Sequence, residues 1–290
     1  WLFLRLHTNA GLTGLGEASN ALTKDAASVE SLQVELTEFF TLITNRSPFD
    51  IEHFRQQGRS RALNGLLSAS AYSAIEQAMW DLSGHALEVP SYQLFGGKVR
   101  DSLPVYANIN RAANPRNAEG FVAVATRAYN DGFRAMKSAP FDNFPVNGTA
   151  TEIAFHIDRG IEIAFAIREA VGGDVELMLD GHSFFSIEQA INIAERLEPV
   201  NLTWYEEPVA PSLVDATLSI KNNIRQPMAG GELFFGLEGF KEIIQRQAFD
   251  VIMPDIKHCG GIKEMIHIAA MAAEEGIMVA PHNPSGPVST

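Results

Sequence analysis

The sequence predicts an α/β protein: a (β/α)8-type barrel whose eighth strand is missing from the chain, preceded by an N-terminal α+β capping domain. Two observations lead to this prediction. From residue 103 onwards, short apolar runs alternate with amphipathic helical stretches, the pattern of a parallel sheet built from βαβ units. Five of these runs close on a polar residue, and the five residues are spaced 26, 26, 23 and 27 positions apart. Such regular units favour a barrel over a doubly wound sheet.

The first hundred residues differ from the rest and are predicted to form the capping domain, residues 1–100, incomplete at its start. The Asn-Ala-Gly sequence within "TNAG" suits a turn with positive φ between two short strands. Two later stretches repeat apolar residues with helical spacing. The glycine-marked joint "FGGKVRD" then leads into the second domain, residues 101–290. The predicted elements are strands at 1–7 and 12–18 and helices at 24–43 and 67–87.

The second domain is predicted to contain seven parallel strands. In a barrel of this kind the functional groups cluster at the C-terminal ends of the strands. Because side chains alternate along a strand, Trp204 and Glu206 share one face while Glu207 takes the other. The strand ends are therefore the place to search for a site. The apolar runs lie at 103–109, 133–137, 175–180, 202–206, 227–232, 250–255 and 277–282.

Composition excludes several classes of function. The net charge of −13 argues against nucleic acid and against anionic membrane surfaces, because both select basic patches. No apolar stretch of the sequence is long enough to span a bilayer. The single cysteine, Cys259, excludes an intrachain disulfide framework and fits a reducing compartment. We therefore expect a cytoplasmic protein that acts on a small molecule and binds neither membranes nor nucleic acid.

Three acidic residues close successive predicted strands: Asp180, Glu206 and Glu232. In a barrel they would converge at one side of the mouth, where clustered carboxylates repel one another strongly. A hard divalent cation relieves that repulsion, and Mg²⁺ prefers oxygen ligands. The alternative is three unrelated loop ends in contact with solvent. The even spacing of the three residues favours the metal site.

Asp255 and His282 close the next two predicted strands. A carboxylate beside an imidazole fixes the tautomer of the ring and stabilises its charged form, which makes a general base near neutral pH. The alternative is a structural histidine whose hydrogen bonds are all satisfied. Two strand ends paired in this way favour the catalytic interpretation.

Four further residues are predicted to face the same mouth. Lys137 closes the second strand and could balance a substrate carboxylate, or its side chain could extend to solvent. His182 follows Asp180 by two residues and could donate a proton, or could lie in a surface loop. Asn108 and Asn110 could bind substrate hydroxyls, or cap a loop.

Several motifs along the chain carry a family resemblance. They are "GLTGLGEAS", "AIEQAMWDLSGHALEVPSYQLFGGKVRDSLPVYA", "ELMLDGH", "WYEEPV", "AGGE", "VIMPDIKHCGG" and "VAPHNPSGP". Over nearly its whole length the chain resembles the mandelate racemase and muconate lactonizing branch of the enolase superfamily. The resemblance implies Asp180, Glu206 and Glu232 as Mg²⁺ ligands. It also implies a dyad of Asp255 and His282 in which His282 is the base.

The chain departs from the mandelate racemases on the second strand. Those enzymes carry Lys-x-Lys there, whereas this chain has Lys137, Ser138 and Ala139. Without the second lysine, racemisation loses its proton carrier on the opposite face of the substrate. The "DGH" motif instead resembles the Asp-x-His of acid-sugar dehydratases, which include galactonate and mannonate dehydratases. In those enzymes the histidine helps hydroxide to leave, which implies that role for His182.

We therefore expect a Mg²⁺-dependent acid-sugar dehydratase. It abstracts the α-proton of a sugar-acid carboxylate, stabilises the enediolate on Mg²⁺ and eliminates the 3-hydroxyl to give a 2-keto-3-deoxy sugar acid. The alternatives are a racemase or epimerase of an α-hydroxy acid on the same scaffold, and a non-catalytic metal-binding homologue or truncated chain. The resemblance also suggests a homo-oligomer. The loops near 18–30 and 138–150, which set specificity in this family, do not encode which sugar acid is bound.

Overall fold

A computed structural model of the chain describes residues 1–19 and 29–290. The strands are β1 Phe3–His7, β2 Thr13–Glu17, β3 Ala107–Asn108, β4 Ala135–Ser138, β5 Glu176–Asp180, β6 Trp204–Glu206, β7 Met228–Gly230, β8 Val251–Ile252 and β9 Met278–Val279. The α-helices are α1 Val29–Thr41, α2 Ile51–Ala62, α3 Leu66–Leu87, α4 Ala118–Asn130, α5 Ala150–Val171, α6 Ile187–Arg196, α7 Val214–Lys221, α8 Gly236–Gln245 and α9 Ile262–Glu274. Two short 3₁₀ helices span Ser91–Phe95 and Glu198–Val200.

The predicted fold class is confirmed. Strands β3 to β9 form one sheet in chain order, and the neighbouring pairs from β3 to β7 are parallel. Each of the seven apolar runs contains one strand, and a helix follows each of β3 to β8. The strands are shorter than the runs, with two to five residues each. Glu232, Asp255 and His282 consequently lie just beyond the ends of β7, β8 and β9.

The N-terminal elements agree with the predicted hairpin and helices. Strands β1 and β2 pair antiparallel around the predicted turn, with Phe3 opposite Glu17. Helices α1 and α3 occupy the stretches predicted as helical, although positions 20–28, and with them the start of the predicted first helix, lie outside the described residues. Helix α2 was not predicted. Its buried positions include Arg55 and Gly58, so apolar periodicity does not mark it.

The chain divides into two compact units. Unit 1 contains residues 1–101, 231–244 and 252–290, and unit 2 contains residues 102–230 and 245–251. The predicted domain ranges, which divide the chain near residue 100, stay a prediction.

Unit 1 has an apolar core between its hairpin and its first helices. The rings of Phe39, Phe54 and Tyr72 pack together with centroid distances of 4.8 to 6.2 Å. Strand β2 approaches the backbone of α3 closely: a Cβ added at Gly16 would lie 1.9 Å from the carbonyl oxygen of Ala74. Glycine is therefore required at this position, because any side chain would push the strand away from the helix.

Unit 2 consists of parallel strands alternating with amphipathic helices. Helices α5 and α6 begin at capping boxes, Thr149 with Glu152 and Ser186 with Gln189. Such boxes fix the start of each helix by satisfying backbone N–H groups. The C-terminal ends of parallel neighbours lie on one edge of a sheet, so β4, β5 and β6 present their last residues together.

Membrane-spanning helices are not found in the part of the chain that the structure describes, since none of its helices combines sufficient length with sufficient apolar character.

Candidate active site

One cluster of candidate residues lies in unit 2, at the ends of β4, β5 and β6. Asp180 and Glu206 are partners in the parallel register and are 5% and 1% exposed. The Nζ atom of Lys137 lies 2.5 Å from Glu206 Oε1 and 3.5 Å from Asp180 Oδ2. One ammonium group is thus shared between two buried carboxylates.

Aromatic side chains hold Glu206 in this cluster. The indole Nε1 of Trp204 donates a hydrogen bond of 3.1 Å to Glu206 Oε2. The ring of Tyr106 lies 5.8 Å from that of Trp204 and 5.6 Å from the Lys137 ammonium. Trp204 and Glu206 therefore share a face, as strand alternation predicts. Glu207 has a left-handed backbone (φ 34°) and its N–H donates to Ala229.

The charges of this cluster stabilise one another. Burial opposes the charged form of Asp180, yet the hydrogen bond from His182 and the charge of Lys137 hold the pKa of Asp180 well below its usual range. Burial likewise opposes the ammonium of Lys137, but Glu206 and Asp180 raise the pKa of Lys137. The lysine and Asp180 are therefore both charged at neutral pH.

His182 lies in the turn that follows β5, between two carboxylates. Its Nδ1 is 2.5 Å from Asp142 Oδ1 and its Nε2 is 3.2 Å from Asp180 Oδ2. Burial disfavours the charged ring, but the hydrogen bonds to Asp142 and Asp180 raise the pKa of His182 to about 10. The ring is consequently protonated at neutral pH and has a proton to give.

The two asparagines that were predicted to bind hydroxyls are held by protein groups. Asn110 Nδ2 donates to Asp142 Oδ2 at 2.8 Å, and Asn110 Oδ1 accepts from Arg116 at 2.8 Å. Asn108 Oδ1 accepts from the backbone N–H of Asn110 at 3.1 Å. Their roles toward a substrate stay predictions.

A second cluster of candidate residues lies in unit 1. The Nδ1 atom of His282 is 2.8 Å from Asp255 Oδ2, and its Nε2 is 3.2 Å from Glu232 Oε2. Asp255 is fully buried, whereas the side chain of His282 is 16% exposed. The carboxylate thus fixes one ring nitrogen and leaves the other directed at Glu232.

Sequence reasoning missed two residues around Asp255. Lys257 is fully buried, and its Nζ lies 2.9 and 2.7 Å from the two oxygens of Asp255 and 2.5 Å from the hydroxyl of Ser285. The Nδ1 of His258 lies 3.8 Å from Asp255, and burial lowers the pKa of His258 to about 4, which keeps this ring neutral. The sequence did contain a signal for Lys257. A lysine inside an apolar motif at a strand end needs an anionic partner.

Asp255 is charged despite its burial. Burial alone would raise its pKa, but the hydrogen bond from His282 and the charge of Lys257 help to lower the pKa of Asp255 to about 2. A charged Asp255 can stabilise the protonated form of His282.

Buried glutamates hold the loops that carry these groups. Glu76 of α3 accepts hydrogen bonds from the N–H groups of Ile262 and Lys263, at the start of α9. Glu17 of β2 accepts from the N–H groups of Gly286 and Ser289 at 2.6 and 3.0 Å. Helix α3 and strand β2 therefore fix, through these two glutamates, the loops that follow β8 and β9.

The donor atoms fit a hard divalent cation better in one cluster than in the other. Asp180 and Glu206 are both buried and offer carboxylate oxygens alone. Mg²⁺ prefers such oxygen ligands. In the other cluster, ligand atoms of Asp255, His258 and His282 lie within 4.8 Å of one another. Lys257 already neutralises the carboxylate of Asp255 in that cluster.

Two family profiles match the chain. The enolase C-terminal domain-like family matches residues 120–290. The N-terminal domain of the mandelate racemase / muconate lactonizing enzyme family matches residues 1–96. Together they cover most of the sequence, in the order that the resemblance implies.

Curated relatives match over the full chain. It is 31% identical over 295 residues to D-galactonate dehydratase of Ralstonia pickettii, across 100% of this chain and 73% of that enzyme. It is also 31% identical over 297 residues to D-galactonate dehydratase of Pectobacterium atrosepticum, with the same shares of each chain.

Solved structures are similar over the same length. A mandelate racemase/muconate lactonizing enzyme-like protein from Roseovarius sp. TM1035 has a TM-score of 0.89 at 27% identity, across 100% of this chain and 74% of the other. An enolase from Agrobacterium radiobacter, suggested to be a galactarate dehydratase, has a TM-score of 0.86 at 31% identity, across 99% and 71%. That crystal structure contains Na and L-malate.

Proposed function

The chain belongs to the enolase superfamily, in its mandelate racemase and muconate lactonizing enzyme branch, as a dehydratase, and we propose that it removes water from an acid sugar with the help of Mg²⁺. One observation carries the proposal. Two histidines, His182 and His282, each have one ring nitrogen held by a carboxylate. Elimination of water needs a base for the α-proton and an acid for the departing hydroxyl, and held imidazoles suit both tasks.

We assign the metal ligands to Asp180, Glu206 and Glu232. These residues end or directly follow three strands that are successive neighbours in the sheet, β5, β6 and β7. The oxygen-only donor set of the buried Asp180 and Glu206 supports this assignment. When bound, Mg²⁺ supplies positive charge against the substrate carboxylate, where negative charge develops as the α-proton leaves.

His282 acts as the base in this proposal. Asp255 holds its Nδ1, so Nε2 is the atom that is left to accept the α-proton. The imidazolium that forms gains from the charged carboxylate of Asp255. Lys257, which also donates to the hydroxyl of Ser285, keeps that carboxylate in place while the proton moves.

His182 acts as the acid. As the Cα–H bond breaks, its electron pair forms the C2–C3 double bond and the C3–O bond breaks. The departing oxygen takes a proton from Nε2 of His182 and leaves as water. The enol product then tautomerises to a 2-keto-3-deoxy acid, so no oxidant or reductant is needed. Lys137 contributes positive charge for the substrate carboxylate, and Asn108 and Asn110 contribute polar groups for its hydroxyls.

The similarity to D-galactonate dehydratases supports the substrate class, an aldonic or aldaric acid. L-malate, which the Agrobacterium radiobacter structure contains, is also an α-hydroxy acid. We propose this class and leave the stereochemistry to the experiment.

An assay of a panel of aldonic and aldaric acids with Mg²⁺ tests the proposal. The panel includes D-galactonate and galactarate, and the readout is the 2-keto product. We expect at least one acid to yield that product. Failure of every acid would contradict the proposal, and deuterium entering C2 from solvent without loss of hydroxyl would favour an epimerase.

A further inference from the structure

The ring of His182 is held at its Nδ1 by Asp142, a residue to which the proposed function gives no role. Asp142 lies in the stretch after β4, and its Oδ1 is 2.5 Å from Nδ1 of His182. That contact leaves Nε2 directed at Asp180, on the side where the proposed reaction occurs. A histidine ring held at one nitrogen by a carboxylate keeps one orientation.

Asp142 is itself held on its other oxygen. Asn110 Nδ2 and Arg116 Nη2 each donate to Asp142 Oδ2 at 2.8 Å. Arg116 also donates to the carbonyl oxygens of Asn110 and Ala139, at 2.8 and 3.0 Å. Asp142 is thus the second member of a chain of contacts, Arg116–Asp142–His182, anchored to the ends of β3 and β4.

The backbone of His182 limits its freedom as well. His182 and Ser183 have left-handed φ values of 46° and 60°, which cost energy for residues other than glycine and cluster at functional sites. The N–H of His182 donates to Asp180 Oδ1, and the N–H of Ser183 donates to the carbonyl of Glu207. The backbone places the ring, and the contact with Asp142 then sets its rotation.

We propose that Asp142 is a positioning residue that aims Nε2 of His182 at the departing hydroxyl. The inference rests on the proposed function, because it concerns the second of the two proton transfers. It assigns Asp142 no contact with the substrate. Removing its charge should therefore slow the loss of hydroxyl and spare the removal of the α-proton by His282.

Asp142→Asn tests this separation, because asparagine keeps the size of the side chain and loses its charge. The reaction is run in D₂O with saturating Mg²⁺ and whichever of D-galactonate and galactarate the wild type dehydrates. We expect kcat for the 2-keto product to fall about 10- to 100-fold with little change in KM. Substrate recovered from the variant should carry deuterium at C2 in larger proportion than substrate recovered from the wild type.

Two further variants complete the test. Asp142→Glu restores the charge and should recover part of the lost rate. Asp158→Asn removes an equal charge from an exposed pair with Arg196 and should behave as the wild type. Thermal unfolding of each variant shows that the fold is intact.

The outcomes separate the two proposals. A wild type that forms no 2-keto product contradicts the proposed function itself. Suppose that the wild type dehydrates the substrate and that Asp142→Asn shows the same ratio of deuterium exchange to elimination as the wild type. That result overturns the positioning role. A folded variant that loses exchange and elimination equally also overturns it, since Asp142 would then act on the whole site.

Discussion

At the scale of single residues, the candidate site is organised by charged groups that are buried in contact with one another. Lys137 is 3% exposed and faces two carboxylates, and Lys257 is fully buried against Asp255. Removing a charge from water is costly unless a partner compensates it. Each lysine therefore stabilises an anion that the proposed reaction requires.

The His282→Asn substitution tests the base. Asparagine can still contact Asp255 but cannot take up a proton near neutral pH. We expect exchange of the α-proton with solvent deuterium to fall by at least about a hundredfold, while the affinity for Mg²⁺ stays nearly unchanged. NMR detects the exchange, and His85→Asn, an exposed position on α3, is the control. Retained exchange in His282→Asn would show that another residue is the base.

The spacing of residues in the sequence was sufficient to predict contacts between residues at regular strand ends. It was not sufficient to predict contacts between residues in loops. Asp180 and Glu206 meet because both end parallel neighbours, and alternation identifies the face. Asp142 meets His182 through two irregular loops, each with a left-handed residue at or beside the contact. No periodicity describes such loops, so this contact could not be predicted.

At the scale of elements, the helix that the sequence did not reveal connects several parts of unit 1. Arg55 of α2 pairs with Glu264 of α9 and lies 3.7 Å from Glu76 of α3. Glu264 accepts the N–H of Leu237 in the first turn of α8, while Glu76 accepts N–H groups of α9. Carboxylates at helix N-termini satisfy backbone donors and interact favourably with the helix dipole.

Arg55→Ala is expected to destabilise the protein at pH 8 by about 3 to 5 kcal/mol, because it removes the cation that the buried Glu76 and Glu264 share and leaves Glu264 with Arg59 alone. Urea unfolding measures the loss of free energy. Arg46→Ala, which removes an exposed arginine paired with Asp50 at 4.0 Å, is the control and should stay within about 0.5 kcal/mol of the wild type. Equal losses in both variants would show that the buried network does not carry stability.

Glu76 predicts a dependence of stability on pH. Burial raises the pKa of Glu76 to about 7 from 4.5, so the folded state keeps this proton over a range in which the unfolded state has lost it. The contribution of Glu76 to stability therefore falls as pH rises from about 4.5 to 7, by roughly 3 kcal/mol. Glu76→Gln cannot titrate and lacks this fall.

Urea unfolding of wild type and Glu76→Gln at pH 5 and pH 8 checks the sign. The free energy of unfolding of the wild type, relative to that of Glu76→Gln, should be lower at pH 8 than at pH 5. A difference that is constant, or that increases with pH, would mean that Glu76 is charged throughout, held by the N–H groups of α9 and by Arg55.

The order of the elements was predictable, while α2 and the strand lengths were not. Alternating apolar runs and helical stretches predicted the seven-stranded sheet, because burial on both faces makes parallel strands apolar. Helix α2 buries an arginine in an ion-pair network, and such burial depends on partners more than 200 residues away along the chain.

At the scale of the whole molecule, the net charge of −13 does not favour an anionic substrate. Long-range fields of like sign slow the approach of an acid sugar. In the proposed function, the positive charge that attracts its carboxylate is therefore local, from Lys137, the protonated His182 and the proposed Mg²⁺. The cluster around Lys137 fits this requirement, since it combines buried carboxylates with cationic side chains.

Mg²⁺-dependent thermal stabilisation tests the central claim most directly. Glu232→Gln removes one proposed ligand charge, and Glu198→Gln, whose exposed carboxylate pairs with Arg225, is the control. At Mg²⁺ about 100 times its Kd, the wild type and Glu198→Gln should gain about 2.7 kcal/mol, and Glu232→Gln should gain much less. Equal stabilisation of all three proteins, or none in the wild type, would contradict a metal site built from Asp180, Glu206 and Glu232.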